Sequence, residues 1–417
     1  MKQIQIGLFG FGVVGEGIYH VLRNTPALGA NIKKICIKHP EKERAAPKEL
    51  FTTNYDDLLQ DEAINLIVEL IDDADEAYKI VTTAFKRGKS VVSANKKMIA
   101  EHLPELIQLQ RQHGVSFLYE AAVCGSIPII RNLEEYFDND LLQNVSGIVN
   151  GSTNFILTQM AGGKSYEAAL QEAQQKGFAE SNPALDVEGH DATNKLTILL
   201  CHAYGLQVKP AQLLRCGITR LHPSDAAYAQ EKGYRIKLVA QAIKLNGGEV
   251  AAFVLPQFIT ADNQLFAVHN EFNGVIVETK LADKQFFYGK GAGRYPTSSA
   301  VISDISAMRY DYQYEYRKLT SGNAPALAAS VYLSVYVSFP EWSHVNKWDF
   351  EEVTEFHSTQ ERQYLRGLIR AEQLATASWF NDPAVSVVLQ PAGVVEKESV
   401  VQKALRKISL QLAGVHN

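Results

Sequence analysis

The chain has little cysteine. Only four occur among 417 residues, Cys36, Cys124, Cys201 and Cys216, far apart and never as Cys-x-x-Cys. That spacing excludes a disulfide framework and a zinc cluster, and it reads as reduced thiols in the cytosol. No segment reaches the ~20 consecutive apolar residues that span a bilayer. The amino terminus shows no apolar run followed by a small-residue cleavage site, so neither a membrane anchor nor a secretory signal is expected. An excess of one charge is lacking too: 41 Lys and Arg against 46 Asp and Glu leave a net −5. Such a balance gives no global pull toward nucleic acid or anionic lipid. What remains, 46% hydrophobic and 21% charged residues, is the composition of a cytoplasmic globular protein with a full core. At ~100–200 residues per domain the length suggests two or three.

The chain opens with a strand expected over residues 3–9, then the turn Gly10-Phe11-Gly12-Val13-Val14-Gly15, then an amphipathic helix over 13–24. This order is the dinucleotide-binding fingerprint: Gly10 permits the tight turn, Gly12 lets backbone approach a pyrophosphate, and Gly15 lets helix pack on strand. The helix amides then face the phosphate. A second strand, 32–37, ends in Lys38-His39-Pro40. An NAD enzyme usually places an acid there for the ribose; a base can instead meet a 2′-phosphate, which favours NADP, with NAD still possible. An exposed turn lysine is the simpler alternative for Lys38. Strands at 65–70, 90–94 and 116–123 alternate with helices at 73–87 and 104–113, a pattern expected to give a doubly wound parallel sheet. Ligands collect at the carboxyl ends of such strands. Two segments leave there with polar residues, Ser93-Ala-Asn95-Lys96-Lys97 and the loop from Tyr119-Glu120 through Val123, Cys124, Gly125 and Ile127 to Pro128. Glu120 reads more readily as a hydrogen-bonding loop anchor than as a ligand.

Past residue 130 the pattern changes. A helix at 127–137 and a strand at 144–149 lead into Asn150-Gly151-Ser152-Thr153-Asn154, of which residues 151–154 offer a turn of hydroxyls and amides suited to a polar small molecule or simply to capping a helix. Helices follow at 155–160 and 166–176. From 234 to 288 the periodicity is that of strands, with Asn246-Gly-Gly as a hairpin turn, so an α+β region with a mostly antiparallel sheet is expected. A second glycine turn, Gly289 to Gly293, precedes a helix at 298–308. The expected division is a nucleotide-binding domain over 1–130 with a return helix at about 295–310, a substrate and dimerisation domain over 131–294, and a small α+β domain over 320–417. The last would hold strands at 331–339 and 384–390 and helices at 359–375 and 399–412.

Between 177 and 195 the acids Glu180, Asp186, Glu188 and Asp191 precede one base, Lys195. Pro183 and Gly189 keep most of the carboxylates on loop, and a helix from about 191 to 204 puts Asp191 in its first turn. Lys195 is then one turn along the same face, where Asp191 can aim its ammonium. An aimed ammonium is a proton donor or an electrostatic clamp for an oxygen. The alternative is a solvated surface pair, and the apolar run Leu-Thr-Ile-Leu-Leu after Lys195 argues against it. Glu188 is the acid expected to be merely solvated.

Gly7-Leu-Phe-Gly-Phe-Gly-Val-Val-Gly15, Ser93 to Lys97, Tyr119-Glu-Ala, Gly147 to Asn154, the 177–195 stretch and Gly289 to Gly293 resemble, in order and over residues 1 to about 310, the motifs of homoserine dehydrogenases. The resemblance implies a Rossmann-type parallel sheet with an α+β catalytic domain. It implies NAD(P)-dependent interconversion of L-homoserine and L-aspartate 4-semialdehyde, in the biosynthesis of threonine, methionine and isoleucine. By motif, Lys195 would protonate the aldehyde oxygen, Lys96 would be the second cation, and Asp191 would hold substrate and Lys195. Glu180, with Asp186, Gly151 and Ser152, would bind the substrate. Gly10, Phe11, Gly12, Val13, Val14, Gly15, Lys38, Ser93, Lys96, Gly177, Glu180 and Gly293 would line the coenzyme. A structural sodium ion would sit on Glu120 and the carbonyls of Val123, Gly125 and Ile127. The resemblance also implies a homodimer or larger homo-oligomer. The carboxyl-terminal order weakly resembles an amino-acid-sensing domain of the ACT kind, with threonine as a regulator. Two departures stand out: Ser152 where many members have threonine, and Arg294-Tyr295 where smaller residues are common. Competing readings are another amino-acid dehydrogenase, such as an aspartate dehydrogenase, lacking the Glu180-to-Lys195 spacing, and a non-catalytic NADP-binding sensor with no use for two lysines in one cleft.

Overall fold

The computed structural model describes residues 3–139, 141–320, 325–328, 330–359 and 362–396. Six strands, β1 (Ile4–Phe9), β2 (Ala30–Cys36), β3 (Phe51–Thr52), β4 (Leu66–Glu69), β5 (Ser90–Ser93) and β6 (Phe117–Leu118), pair in parallel in the order β3-β2-β1-β4-β5-β6. Helices Val13–Asn24, Ala74–Lys86 and Lys96–His113 connect them. Strands covered on both faces read as continuous apolar runs, and every residue of β4 is buried. The order reverses between β1 and β4, which places the ligand crevice beyond their carboxyl ends. Register then sets Phe9 beside Glu69, and Glu69 beside Ser93.

Two elements in this half differ from their sequence pattern. The helix expected at 104–113 begins eight residues earlier, at Lys96, because Asn95 caps it by accepting from the Met98 amide at 3.0 Å. Pro104 lies inside it and marks no start. The strand expected over 116–123 is only Phe117–Leu118; a 3₁₀ turn at Glu120–Ala122 takes the backbone out of the sheet.

The second sheet holds β7 (Leu142–Ile148), β8 (Leu214–Arg215), β9 (Arg235–Lys244), β10 (Val250–Ile259), β11 (Phe272–Thr279), β12 (Asp283–Lys290), β13 (Tyr332–Phe339), β14 (Glu352–Ser358), β15 (Gln363–Arg370) and β16 (Ser386–Val395). Its order is β12-β11-β7-β9-β10-β16-β13-β15-β14, with β8 on β10. The β9–β10 hairpin turns at Asn246-Gly-Gly, closed by Leu245 N–H donating to the Glu249 carbonyl at 2.8 Å. Helices Gly151–Ala161 and His190–Tyr204 pack against β9, sharing one core with the parallel sheet.

The carboxyl-terminal segment departs further from its sequence pattern. Residues 363–370, inside the helix expected at 359–375, form β15, and only Ala371–Thr376 is helical there. β15 alternates outward and inward, with Leu365, Gly367 and Ile369 buried, a period of two that Arg366 and Arg370 disguise in the sequence. Strands β13 to β16 extend the second sheet. The helix expected at 399–412 lies outside the described residues.

Helix Arg294–Met308 returns to the first sheet and packs on Val13–Asn24, with Ser298 Oγ donating to the Val14 carbonyl at 3.1 Å. Gly17 makes this approach possible, since any side chain there would strike Ser298. Among the described residues no helix is long and apolar enough to cross a membrane.

Candidate active site

Gly189, in the left-handed region at φ 82°, turns the chain into helix His190–Tyr204. That helix carries Asp191 and Lys195 one turn apart, both buried. The Asp191 carboxylate is held from two sides. Lys195 Nζ donates to Oδ2 at 2.7 Å and Lys96 Nζ lies 2.8 Å from Oδ1. Burial works to raise the Asp191 pKa, but the two ammoniums outweigh it and hold the group well below the usual carboxylate range. Attraction to Asp191 in turn raises the pKa of Lys96. Lys195 also donates to the Val149 carbonyl at 2.7 Å, at the end of β7. One carboxylate therefore fixes two cations, Lys195 with a 9% exposed side chain and Lys96 with a 43% exposed one facing the cleft.

Asn150, next to Val149, was not expected as a site residue. Its Nδ2 donates to Asp186 Oδ1 at 2.7 Å and to Asp191 Oδ2 at 2.8 Å, while its Oδ1 accepts from the Thr153 amide. One amide thus caps helix Gly151–Ala161 and spaces two acids. Ser152 Oγ donates to the Phe178 carbonyl, tying that helix to the acidic stretch. Gly151 faces the Glu271 carbonyl so closely that an added Cβ would lie 2.6 Å from it, which makes it a packing position. Asp186 sits half-buried on a single turn, Ala184–Val187. Glu180 is exposed, close enough for its charge to raise the Lys96 pKa. Glu188 is exposed and pairs with His190 at 3.2 Å, as its expected solvated role requires.

The glycine turn has the shape its sequence implies. Gly10 has φ +93° and an added Cβ would lie 2.9 Å from the Leu70 carbonyl; at Gly15 it would lie 2.5 Å from the Gly10 carbonyl. At Gly12 it would meet nothing within 4 Å. The first and third glycines are required by packing, whereas the second opens onto free space before the helix amides, the cradle a pyrophosphate fits. Val13 is exposed, Val14 engages Ser298, and Phe11 packs edge-on against Tyr19 and Phe51. Lys38 is exposed beyond β2. Gly177 and Gly293 have φ +74° and +119°; an added Cβ would meet nothing within 4 Å at Gly177 and only Pro296, at 3.6 Å, at Gly293. Ser93 is fully buried.

Glu69 also went unanticipated. Fully buried where β1, β4 and β5 end together, it accepts from Ser93 Oγ at 2.5 Å and from the Ile71 amide at 2.7 Å. Ser93 Oγ accepts from the Asn95 amide at 3.1 Å, so Glu69 braces the turn that delivers Lys96. Burial pushes its pKa up to about 7. The only sequence signal was an acid ending an apolar strand.

Glu120 is buried and accepts from the amides of Ile130 and Arg131 at 2.8 and 3.0 Å. Burial, then Asp304, pushes its pKa up to about 8. Among the described residues no group of three or more His, Cys, Asp or Glu side chains could hold a metal ion. A cation beside Glu120 would depend on the main-chain oxygens of Val123, Gly125 and Ile127, a donor set made only of hard oxygen atoms. The loop turns there through left-handed Cys124 and Gly125, φ 58° and 52°.

Comparison with known proteins gives two family matches, "Homoserine dehydrogenase, NAD binding domain" over residues 10–120 and "Homoserine dehydrogenase" over 128–306. The homoserine dehydrogenase of Bacillus subtilis is 37% identical over 318 residues, 74% of this chain and 73% of that one. That of Synechocystis is 37% identical over 313 residues, 72% of each chain. Among solved structures, a homoserine dehydrogenase from Thiobacillus denitrificans superposes with TM-score 0.82 at 29% identity, covering 93% of this chain and 98% of its own. One from S. aureus gives 0.71 at 28%, covering 94% and 99%.

Proposed function

The chain belongs to the homoserine dehydrogenase family, and from that premise we propose how its own residues carry out the family's oxidoreductase reaction, the interconversion of L-homoserine and L-aspartate 4-semialdehyde. A nicotinamide coenzyme supplies or takes up the hydride. Everything else falls to side chains in the cleft between the two sheets. Lys195 donates a proton to the aldehyde oxygen during reduction and accepts it back during oxidation. Asp191 keeps that ammonium aimed, and Lys96 adds a second positive charge against the developing alkoxide. Glu180 and Asp186 match the substrate's ammonium group, and Asn150 sets Asp186 relative to Asp191.

The carrying observation is the single buried carboxylate bridging both ammoniums at 2.7 and 2.8 Å. Lys195→Ala is expected to lower kcat at least ~10²-fold while coenzyme binding, followed by nucleotide fluorescence, stays unchanged. An unchanged rate would remove the assignment.

Gly10 to Gly15 hold the pyrophosphate, with Gly177 and Gly293 flanking the coenzyme. Lys38 selects NADP, a reading supported by its exposure beyond β2 and by an archaeal homoserine dehydrogenase solved with NADPH at 26% identity. Lys38→Ala should cut kcat/KM at least ~10-fold for NADP, the order expected for one charge-assisted contact, and leave NAD untouched. Glu120 with the carbonyls of Val123, Gly125 and Ile127 is the place for a monovalent cation. Replacing sodium by a bulky organic cation should then lower Tm. The division of domains follows the two sheets, with the strands after residue 330 completing the second.

A further inference from the structure

On the face adjoining the catalytic pair the same two helices wall a cavity of about 1360 Å³. Asp191 and Lys195 face the active site; His190 and Asn194, one position earlier in each turn, line this cavity. Lys96 contacts Asp191, and Lys97 lines the cavity. The remaining walls come from residues 209–213, β8, β10 and carboxyl-terminal residues that include Glu372, Ala375 and Phe380.

The charge on these walls is unbalanced. Lys97, Lys209 and Arg215 line the cavity, and none makes a side-chain hydrogen bond or ion pair among the described residues, while Glu101 and Glu372 are the acids. Arg215 is the telling group because it is half-buried on β8, whose pairing with β10 fixes its position. Burial lowers its pKa, and Glu188 offsets this only in part. A half-buried guanidinium without a direct hydrogen-bonding partner is only partly compensated, and an arriving anion would complete the compensation. Beside the cations the walls are apolar, including Leu213, Phe253 and Phe380. The stem of Arg215 packs on Gly189, where an added Cβ would lie 3.2 Å from its Cγ. Gly189 is the residue from which the catalytic helix starts.

We propose that this cavity binds a small carboxylate with an apolar body, its carboxylate on Arg215, and that the occupant acts on catalysis through Gly189 and the first turn of helix His190–Tyr204. Binding goes beyond the proposed reaction and does not depend on it; only the kinetic arm does.

The test is calorimetry of the full-length protein with two probes, hexanoate and L-norleucine, which differ in the α-ammonium that Glu101 or Glu372 could meet. Saturable binding of either is expected, unaffected by excess homoserine and weakened at least ~10-fold by Arg215→Gln, the scale of a charge-assisted contact. Ala375→Trp places a large side chain at an exposed helical alanine and should block binding without altering Tm. Lys209→Gln gives a second charge variant should Arg215→Gln fold poorly. The bound probe should also change KM or kcat for homoserine at least ~2-fold, and not in Ala375→Trp. Absence of saturable binding by both probes, displacement by homoserine, or indifference to Ala375→Trp would overturn the site. Binding that leaves the kinetics unchanged would overturn the coupling.

Discussion

At the scale of single residues, the catalytic cluster depends on one carboxylate. Asp191→Asn would leave two ammoniums facing each other in a buried setting, and uncompensated buried charge costs roughly 3–5 kcal/mol. A lower denaturation midpoint together with at least ~10-fold slower turnover is therefore expected. Glu69 makes a pH-dependent prediction. Its folded pKa of about 7 stands above the ordinary 4.5, so between those values the folded protein holds a proton that the unfolded chain has shed. Its contribution is complete below about 4.5 and is lost as pH rises through about 7. A shift of that size is worth at most on the order of 3 kcal/mol. Glu69→Gln should accordingly lose less stability than wild type between pH 5 and 8, in urea titrations at both ends. The Asp191–Lys195 pair was legible because helical spacing brings residues four apart onto one face. Glu69 and Asn150 were not, because their partners Ser93, Asp186 and Asp191 lie 24, 36 and 41 positions away.

At the scale of elements, the glycine turn separates folding from binding. Gly12→Ala meets open space, so it should leave Tm nearly unchanged yet weaken coenzyme at least ~10-fold, by obstructing the backbone's approach to phosphate. Gly15→Ala meets the Gly10 carbonyl and should lower Tm by several degrees, an overpacking cost of ~1–3 kcal/mol. Thermal melts alongside nucleotide titration check both. This turn and helix Val13–Asn24 could be read directly, since glycine and helical period agree there. Elsewhere local signals misled. Pro104 looked like a helix start, but the cap at Asn95 decided it. Residues 363–370 carry enough arginine and glutamine to pass for an amphipathic helix. Pairing with β13 and β14 makes them a strand, and pairing between distant segments leaves no trace in local composition.

At the scale of the molecule, the parallel sheet was foreseeable because strand, helix and strand alternate along the chain. The extent of the second sheet was not, since it sets β16 beside β10 across more than a hundred intervening residues and hangs β13, β15 and β14 beyond it. Family resemblance in sequence stops near residue 306, while likeness in shape to the Thiobacillus denitrificans enzyme covers 93% of the chain. The carboxyl-terminal strands thus belong to the shape shared with that enzyme although they lie beyond the family match in sequence.

Helix Arg294–Met308 closes against Val13–Asn24 through Ser298 and Gly17, and this bears on how the protein is made. Domains generally fold as they leave the ribosome, amino-terminal ones first. Here the first unit to emerge stays unfinished until translation has passed residue 308, with the face of its first helix that carries Gly17 still bare. A nascent chain released at residue 130 should therefore bind neither coenzyme tightly, and adding the 294–308 segment as a peptide should restore part of that affinity.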